Sequence, residues 1–249
     1  MITIKTPEDF ANMRRAGVVV SRIHDALREA AAPGVTLLHL EELAARIIED
    51  GNTRSSFLNY HGTYPATTCL SVNEEIVHGI PSSRRLEEGD ILSVDAGAIY
   101  EGWHADAAIT FPIGEVPDKT MALLETTERA MWVAIEMLRV GTRLGDIGAA
   151  ISGVAGEQGY GVVHEYTGHG IGRQMHEEPQ VLNYGRKGTG MKLRKGMAIC
   201  VEPMFNLGGD ATSTLDDGWT VVTADGTLSA HFEHTVAITP DGPEVLTLP

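Results

Sequence analysis

Cysteine, aromatic residues and long apolar runs are all scarce in this 249-residue chain. The two cysteines, Cys69 and Cys200, are too few for a disulfide framework and suit a reducing compartment. No apolar run reaches the roughly 18 residues of a transmembrane helix, and the N-terminus has no apolar signal-peptide core. These absences argue against a disulfide-rich or membrane-spanning protein and predict a cytoplasmic enzyme or binding protein.

Positive charge is also scarce, with 19 Lys and Arg residues against 34 Asp and Glu residues and a net charge of −15. This balance disfavours non-specific binding to nucleic acids or acidic membranes as the main role. The content of 43% hydrophobic and 21% charged residues is typical of a folded globular protein.

Apolar residues at helical spacing predict two helices near the N-terminus. The first begins after Thr6, whose hydroxyl would cap it, and ends before Pro33. The second begins after Thr36 and ends near Gly51. Residues 67–111 then have a strand-like pattern.

The same order of elements is predicted again in the second half of the chain. Two further helices are predicted over about residues 121–138 and 144–159, followed by strand-like segments. An offset of 107 residues pairs Gly34 with Gly141, Leu37 with Leu144, Leu40 with Ile147 and Ile47 with Val154. We therefore predict one α+β catalytic domain, residues 1–249, with pseudo-twofold halves of about 1–116 and 117–249. A chance match of apolar periodicity is the alternative.

Two aspartates, Asp95 and Asp106, lie in a predicted β-hairpin with its turn at Glu101 and Gly102. One register places Asp95 opposite Ala108, with Asp106 two places along on the same face. A shift of the turn by one residue places the two aspartates directly opposite each other. Either register gathers two carboxylates among apolar neighbours, which favours a bound cation over two solvated side chains.

Two histidines and two glutamates follow the hairpin as further candidates. His169 and His176 lie in a glycine-rich loop, and neutral imidazole is a common metal ligand and hydrogen-bond donor. Glu202 and Glu233 each lie in an apolar strand that supplies no Lys or Arg. A buried unpaired carboxylate is costly, so each needs either a salt bridge from elsewhere or a cation.

Four strand carboxylates and one imidazole make a hard ligand set. Such a set suits Mn, Fe, Co, Zn or Mg, and four negative charges match two divalent ions. Two ions about 3.5–4 Å apart would hold a hydroxide between them as the nucleophile. The residues therefore predict metal-assisted hydrolysis.

The order of these residues resembles that of the methionine aminopeptidases, which have the pita-bread fold. The five residues are Asp95, Asp106, His169, Glu202 and Glu233, with spacings of 11, 63, 33 and 31. Motifs in residues 71–81, 168–180 and 228–235 carry the resemblance over essentially the whole chain. The 33-residue gap leaves no room for the helical insertion of type II enzymes, so the chain looks like a type I enzyme of bacterial kind.

The resemblance implies a fold with an antiparallel sheet covered by helices and two divalent metal ions, Co, Mn, Fe, Zn or Mg. It implies an aminopeptidase that removes the initiator methionine when the second residue is small. Asp95 would hold one ion, Asp106 and Glu233 would bridge, and His169 and Glu202 would complete the other shell.

The resemblance also implies the catalytic residues and a substrate pocket. His78 and His176 would hydrogen-bond the substrate and stabilise the oxyanion, and Glu202 would shuttle a proton. The pocket residues would be Phe57, Tyr60, Tyr64, Cys69, Met175 and Trp219.

Four positions depart from the family pattern. Met175 stands where an aromatic residue is usual, Phe57 replaces a smaller residue, Thr63 is an insertion, and His231 stands where Gln is common. These positions leave the metal ligands intact but leave open how strictly the pocket selects methionine.

The partners implied are peptide and nascent-protein N-termini, for a monomeric enzyme that is not bound to a membrane. Contact with the ribosome is a further expectation of such a family. The basic cluster Arg186, Lys187, Lys192, Arg194 and Lys195 offers a surface, but a solvated face is the favoured interpretation because residues 206–217 contain three Asp and no Lys or Arg.

Two rival functions fit part of the sequence. A proline-directed relative would share the fold, although such enzymes usually have a long N-terminal domain. A metal-free binding module would share the fold but lose ligands, and all five ligand types stand in order here.

Overall fold

The computed structural model describes residues 2–249, and these contain four α-helices. They are α1 (Pro7–Ala30), α2 (Leu37–Asp50), α3 (Asp118–Glu136) and α4 (Leu144–Gln158). Thr6 caps α1 as predicted, because its hydroxyl accepts the Asp9 N–H and the Asp9 carboxylate accepts the Thr6 N–H. Helix α3 begins three residues before its predicted start, directly after Pro117.

Fifteen strands connect or follow the helices within the described range. They are β1 (Arg54–Ser55), β2 (Thr68–Val72), β3 (Glu75–Val77), β4 (Ile91–Tyr100), β5 (Trp103–Pro112), β6 (Gly161–Val162), β7 (Gly168–Gly170), β8 (Glu177–Val181), β9 (Ala198–Val201), β10 (Met204–Asn206), β11 (Thr212–Thr214), β12 (Val221–Thr223), β13 (Ser229–His231), β14 (Glu233–Thr239) and β15 (Gly242–Val245). The predicted strand segment 67–111 is interrupted between β3 and β4 by an irregular stretch.

Nine strands form one antiparallel sheet that spans both halves of the chain. Its order is β1-β4-β5-β14-β9-β7-β8, with β2 beside β4 and β15 beside β14. Two smaller sheets, β13-β10-β6 and β11-β12-β3, complete the β structure. Strand β14 lies between β5 and β9, so it joins the two halves.

The hairpin β4–β5 has the first of the two predicted registers. Tyr100 pairs with Trp103 and Asp95 pairs with Ala108. The turn residues Glu101 and Gly102 both have positive φ angles, 49° and 74°, as a tight two-residue hairpin turn requires.

The helices cover the face of the sheet opposite to Asp95. Val94 and Ala96, the neighbours of Asp95 on β4, are fully buried in a core with residues of α1 and α2. A second core packs α3 and α4 against β9 and β14. Because side chains alternate along a strand, the apolar positions face the helices and leave Asp95 on the other face.

The 107-residue offset also relates tertiary contacts. Helix α2 begins at Leu37 and α4 at Leu144, and the isolated bridge Thr36–Arg85 has its counterpart in Arg143–Lys192. The two segments that precede the site therefore have the same local architecture.

None of the helices in residues 2–249 combines the length and the apolar character that crossing a bilayer requires.

Candidate metal centre

Three strands bring acidic side chains onto one face of the large sheet. Asp95 lies opposite Ala108, and Ala108 lies opposite Glu233, so these residues form a row across β4, β5 and β14. Asp106 lies two residues from Ala108 on β5 and therefore faces the same side. Its carboxyl group lies beside that of Asp95, with oxygen atoms of the two groups within 4.8 Å of each other.

Glu202 and His169 reach the same row from the neighbouring strands. Glu202 directly follows β9, and the β9–β14 register brings it level with Glu233. His169 Nε2 lies 3.5 Å from Glu202 Oε1, while His169 Nδ1 contacts the Gly170 carbonyl oxygen at 2.8 Å. The Nδ1 contact leaves Nε2 as the nitrogen on the carboxylate side.

Burial, and for three of the groups the neighbouring carboxylates, disfavour the charged form of the four acids. Burial raises the pKa of Asp95 to about 7. Burial, and then the neighbouring carboxylates, raise the pKa of Asp106, Glu202 and Glu233 well above the ordinary range. This arrangement costs free energy unless protons or cations neutralise it.

The residues present fit a cation site. Asp95 Oδ1, Asp106 Oδ1 and Glu233 Oε1 are buried and have no hydrogen-bond partner. Across residues 2–249 no Lys or Arg pairs with any of the four carboxylates, so the salt-bridge alternative does not hold. Donor atoms of Asp95, Asp106 and Glu233 lie within 4.8 Å of one another, as do those of Glu202, His231 and Glu233.

Two further imidazoles border the carboxylates. The His176 ring lies 4.2 Å from the His169 ring, and His176 Nδ1 lies 2.5 Å from the Tyr60 hydroxyl. The His78 ring lies 6.2 Å from Trp219. Burial lowers the pKa of His78 to about 4 and also lowers that of His176, so both rings are neutral near pH 7 and each can donate one N–H.

A cavity of about 340 Å³ connects the carboxylates to an apolar wall. All the residues predicted for the pocket line it, namely Phe57, Tyr60, Tyr64, Cys69, Met175 and Trp219. Phe57, Tyr64 and Cys69 are buried against one another, and Tyr64 meets Trp219 edge-on at 5.1 Å. His78, His176 and the five predicted ligands border the same cavity.

Known proteins are similar in sequence to this chain over nearly its full length. Residues 11–240 match metallopeptidase family M24. A methionine aminopeptidase of Clostridium acetobutylicum is 48% identical over 249 residues, which cover 100% of this chain and 99% of that protein. The methionine aminopeptidase of Escherichia coli K12 is 41% identical and is covered to 94%. The chain belongs to metallopeptidase family M24.

Solved structures of M24 proteins confirm the predicted pita-bread fold and the predicted resemblance. The crystal structure of methionine aminopeptidase from Thermotoga maritima has a TM-score of 0.98, with 43% identity and full coverage of both chains. A prolidase from Pyrococcus furiosus shares the fold at a TM-score of 0.79 and 22% identity, and this chain covers 65% of it. Membership of this family also confirms the predicted metallopeptidase class.

Two residues that border the candidate metal centre are not among the predicted site residues. His231 Nε2 lies 3.7 Å from Glu202 Oε2, and His231 lines the cavity. Its position two residues before Glu233 is the sequence feature from which a place at the site could have been predicted. Cys200, predicted as core packing, is fully buried, and its thiol also lies within 4.8 Å of donor atoms of His169 and Glu233.

Proposed function

We propose that this chain removes N-terminal methionine from peptides and proteins whose second residue is small. One observation carries the proposal: an apolar cavity of about 340 Å³ ends on four carboxylates that no Lys or Arg of residues 2–249 neutralises. Relatives named methionine aminopeptidase at 41% and 48% identity over nearly the full chain support it. On this proposal residues 1–249 act as a single catalytic domain.

The methionine side chain would enter the apolar end of the cavity. Phe57, Tyr64 and Trp219 offer aromatic surface there, and a thioether makes favourable contacts with aromatic rings. Met175 adds a flexible wall that can adapt to the length of the bound side chain. The preference for a small second residue rests on the family resemblance.

Two divalent ions, Co, Mn, Fe, Zn or Mg, are the proposed cofactors. Asp95, Asp106 and Glu233 would hold one ion, and His169 with Glu202 would complete the shell of the other, with Asp106 and Glu233 shared. When bound, the ions would lower the pKa of a water molecule and so supply hydroxide as the nucleophile near neutral pH.

The remaining proposed steps belong to side chains. The Glu202 carboxylate, whose pKa is raised by burial and by its acidic neighbours, would take a proton from the attacking water and pass it to the leaving amine. The neutral His78 and His176 rings would each donate an N–H to the substrate peptide and to the oxyanion. The Tyr60 hydroxyl at His176 Nδ1 would leave His176 Nε2 to carry the donated proton.

A reconstitution series tests the proposal. The metal-free protein is loaded separately with Co, Mn, Fe, Zn or Mg and assayed with Met-Ala, Leu-Ala and Met-Pro peptides. We expect metal-dependent release of methionine from Met-Ala well above the other two. Full cleavage of Met-Ala-Ser by a chelator-treated sample without added metal would contradict the metal-dependent mechanism.

The same assay separates the two rival functions. Turnover of X-Pro peptides well above Met-Ala peptides would favour a proline-directed enzyme, whose fold the prolidase shares. A calorimetric titration without Mn or Co binding would favour a metal-free binding module.

The proposed setting is the cytoplasm, where a monomer would meet nascent-protein N-termini. The ribosome is a proposed partner only insofar as such N-termini emerge there. Sedimentation of the purified protein tests the monomer, and co-sedimentation with ribosomes tests the contact.

A further inference from the structure

A buried ion pair ties the loop that carries Met175 and His176 to the N-terminal segment. The Lys5 ammonium lies 2.8 Å from Glu177 Oε2, and the two side chains are only 2% and 5% exposed. Thr3 completes the contact, because its hydroxyl donates to Glu177 and accepts from the Lys5 ammonium at 2.6 Å.

The other oxygen of Glu177 holds the loop itself. Glu177 Oε1 accepts the backbone N–H of Arg173 at 2.8 Å and that of Gln174 at 3.2 Å. One carboxylate therefore closes the turn with one oxygen and reaches the N-terminal segment with the other.

The N-terminal segment and the loop that this ion pair joins are both hydrogen-bonded to the large sheet or to a residue just before one of its strands. The Lys5 N–H donates to the carbonyl oxygen of Gly196, just before β9, at 2.7 Å. The Gly172 carbonyl oxygen accepts the N–H of His104 on β5 at 2.9 Å. A Cβ on Gly172 would lie 2.6 Å from Lys5 Cε and 2.7 Å from Glu177 Oε1, so the backbone packs directly on the ion pair.

We propose that Lys5 and Glu177 are positioning residues that set where Met175 and His176 meet the substrate. Met175 and His176 immediately precede Glu177 and lie inside the turn that its carboxylate closes. Both also line the cavity. The kinetic part of this inference rests on the proposed function, whereas the ordering of the loop does not.

Hydrogen exchange tests the ordering of the loop without any assay of activity. The variants are Glu177→Gln, which removes the charge, and Thr3→Val, which removes one hydroxyl at an exposed position. Glu157→Gln, in the exposed pair with Arg129, is the matched control. We expect the amides of residues 173–177 to exchange about tenfold faster in Glu177→Gln, somewhat faster in Thr3→Val, and at the wild-type rate in the control.

A double-mutant cycle tests the link to His176. With metal content matched, Glu177→Gln is expected to lower kcat/KM on Met-Ala-Ser about tenfold. In a His176→Ala background the same substitution should change kcat/KM by less than about twofold, because the residue it positions is gone. A general structural loss would cost the same in both backgrounds.

The outcomes separate the two proposals. If the wild-type protein loaded with metal does not cleave Met-Ala-Ser, the proposed function fails. Hydrogen exchange alone then decides whether the Lys5–Glu177 ion pair orders the loop. Exchange at the wild-type rate at residues 173–177 in Glu177→Gln would show that Glu177 does not order the loop, even if the peptide is cleaved. An equal loss of kcat/KM in the wild-type and His176→Ala backgrounds would overturn the link to His176. If Glu177→Gln does not fold, Thr3→Val is the deciding variant. Exchange at the wild-type rate at residues 173–177 in Thr3→Val would overturn the proposed ordering of the loop.

Discussion

The side-chain hydroxyl of Thr235 makes the two hydrogen bonds to the Asp106 backbone that a paired strand would otherwise make. It accepts the Asp106 N–H at 2.9 Å and donates to the Asp106 carbonyl oxygen at 2.8 Å. Backbone pairing between β5 and β14 covers only two positions, Ala107 with His234 and Ala108 with Glu233. The Thr235 side chain therefore extends the join between the halves to the residue that carries a candidate ligand.

Replacing Thr235 by valine should destabilise the protein. The change keeps the shape of the side chain but leaves a buried N–H and a buried carbonyl without partners, which costs about 2–4 kcal/mol in the free energy of unfolding. Denaturant titration of the metal-free protein measures the loss. Thr235→Ser keeps the hydroxyl and is the control, and equal stability of the two variants would contradict this role.

Replacing Asp106 by asparagine should lower kcat by orders of magnitude, because a proposed bridging ligand loses its charge. The same change should stabilise the metal-free protein, since one of four crowded carboxylates becomes neutral. Turnover, metal content and thermal melting with and without Mn²⁺ measure these effects. Asp118→Asn, at the exposed start of α3, is the control, and activity of Asp106→Asn within about threefold of wild type would refute the assignment.

Replacing His176 by alanine should leave the metal content unchanged and depress turnover, because we place this ring outside the coordination shell. Tyr60→Phe should act in the same direction but more weakly, by about three- to tenfold, because it removes only the hydroxyl at His176 Nδ1. Metal analysis and kinetics on Met-Ala-Ser check both variants. Loss of metal in His176→Ala would identify the ring as a ligand instead.

Acid should destabilise the protein through His24 on α1. Burial lowers the pKa of His24 from 6.5 to about 3, so the folded state resists its protonation. The stability that the neutral ring provides is present above pH 6.5 and is lost as the pH falls towards 3.

His24→Gln should remove this loss. Because pH 5 lies about 1.5 units below the ordinary pKa of 6.5, wild type should lose about 2 kcal/mol more than the variant between pH 7 and pH 5. Denaturant titrations at both pH values measure the difference. The exposed His39→Gln should follow wild type, and a parallel fall in His24→Gln would contradict the prediction.

Local signals made much of the fold predictable. Thr6 and Thr36 stand where a capping hydroxyl is needed, and both cap helices. The turn at Glu101 and Gly102 limited the hairpin to two registers, and either one brought Asp95 near its partner. The pairing of β4 with β5 along their full length selects one of the two registers, and no local sequence pattern contains that information.

Contacts between distant residues were beyond sequence reasoning. Lys5 and Glu177 read as ordinary charged residues, since neither lies in a pattern that indicates burial. Thr235 reads as a β-branched strand residue, and its hydrogen bonds exist only because β14 lies beside β5. His231 could be noticed beside Glu233, but its approach to Glu202 depends on the packing of both halves.

The central place of β14 in the sheet has a consequence for biosynthesis. Its neighbours β5 and β9 are made earlier, and Asp106 precedes Glu233 by 127 residues. Such long-range pairing forms slowly, because closing a long loop comes before any contact can stabilise it. Until β14 has emerged from the ribosome, the growing chain holds Asp95, Asp106 and Glu202 but lacks Glu233 and the strand that joins the two halves. On the proposed function, activity would therefore begin only after β14 has emerged.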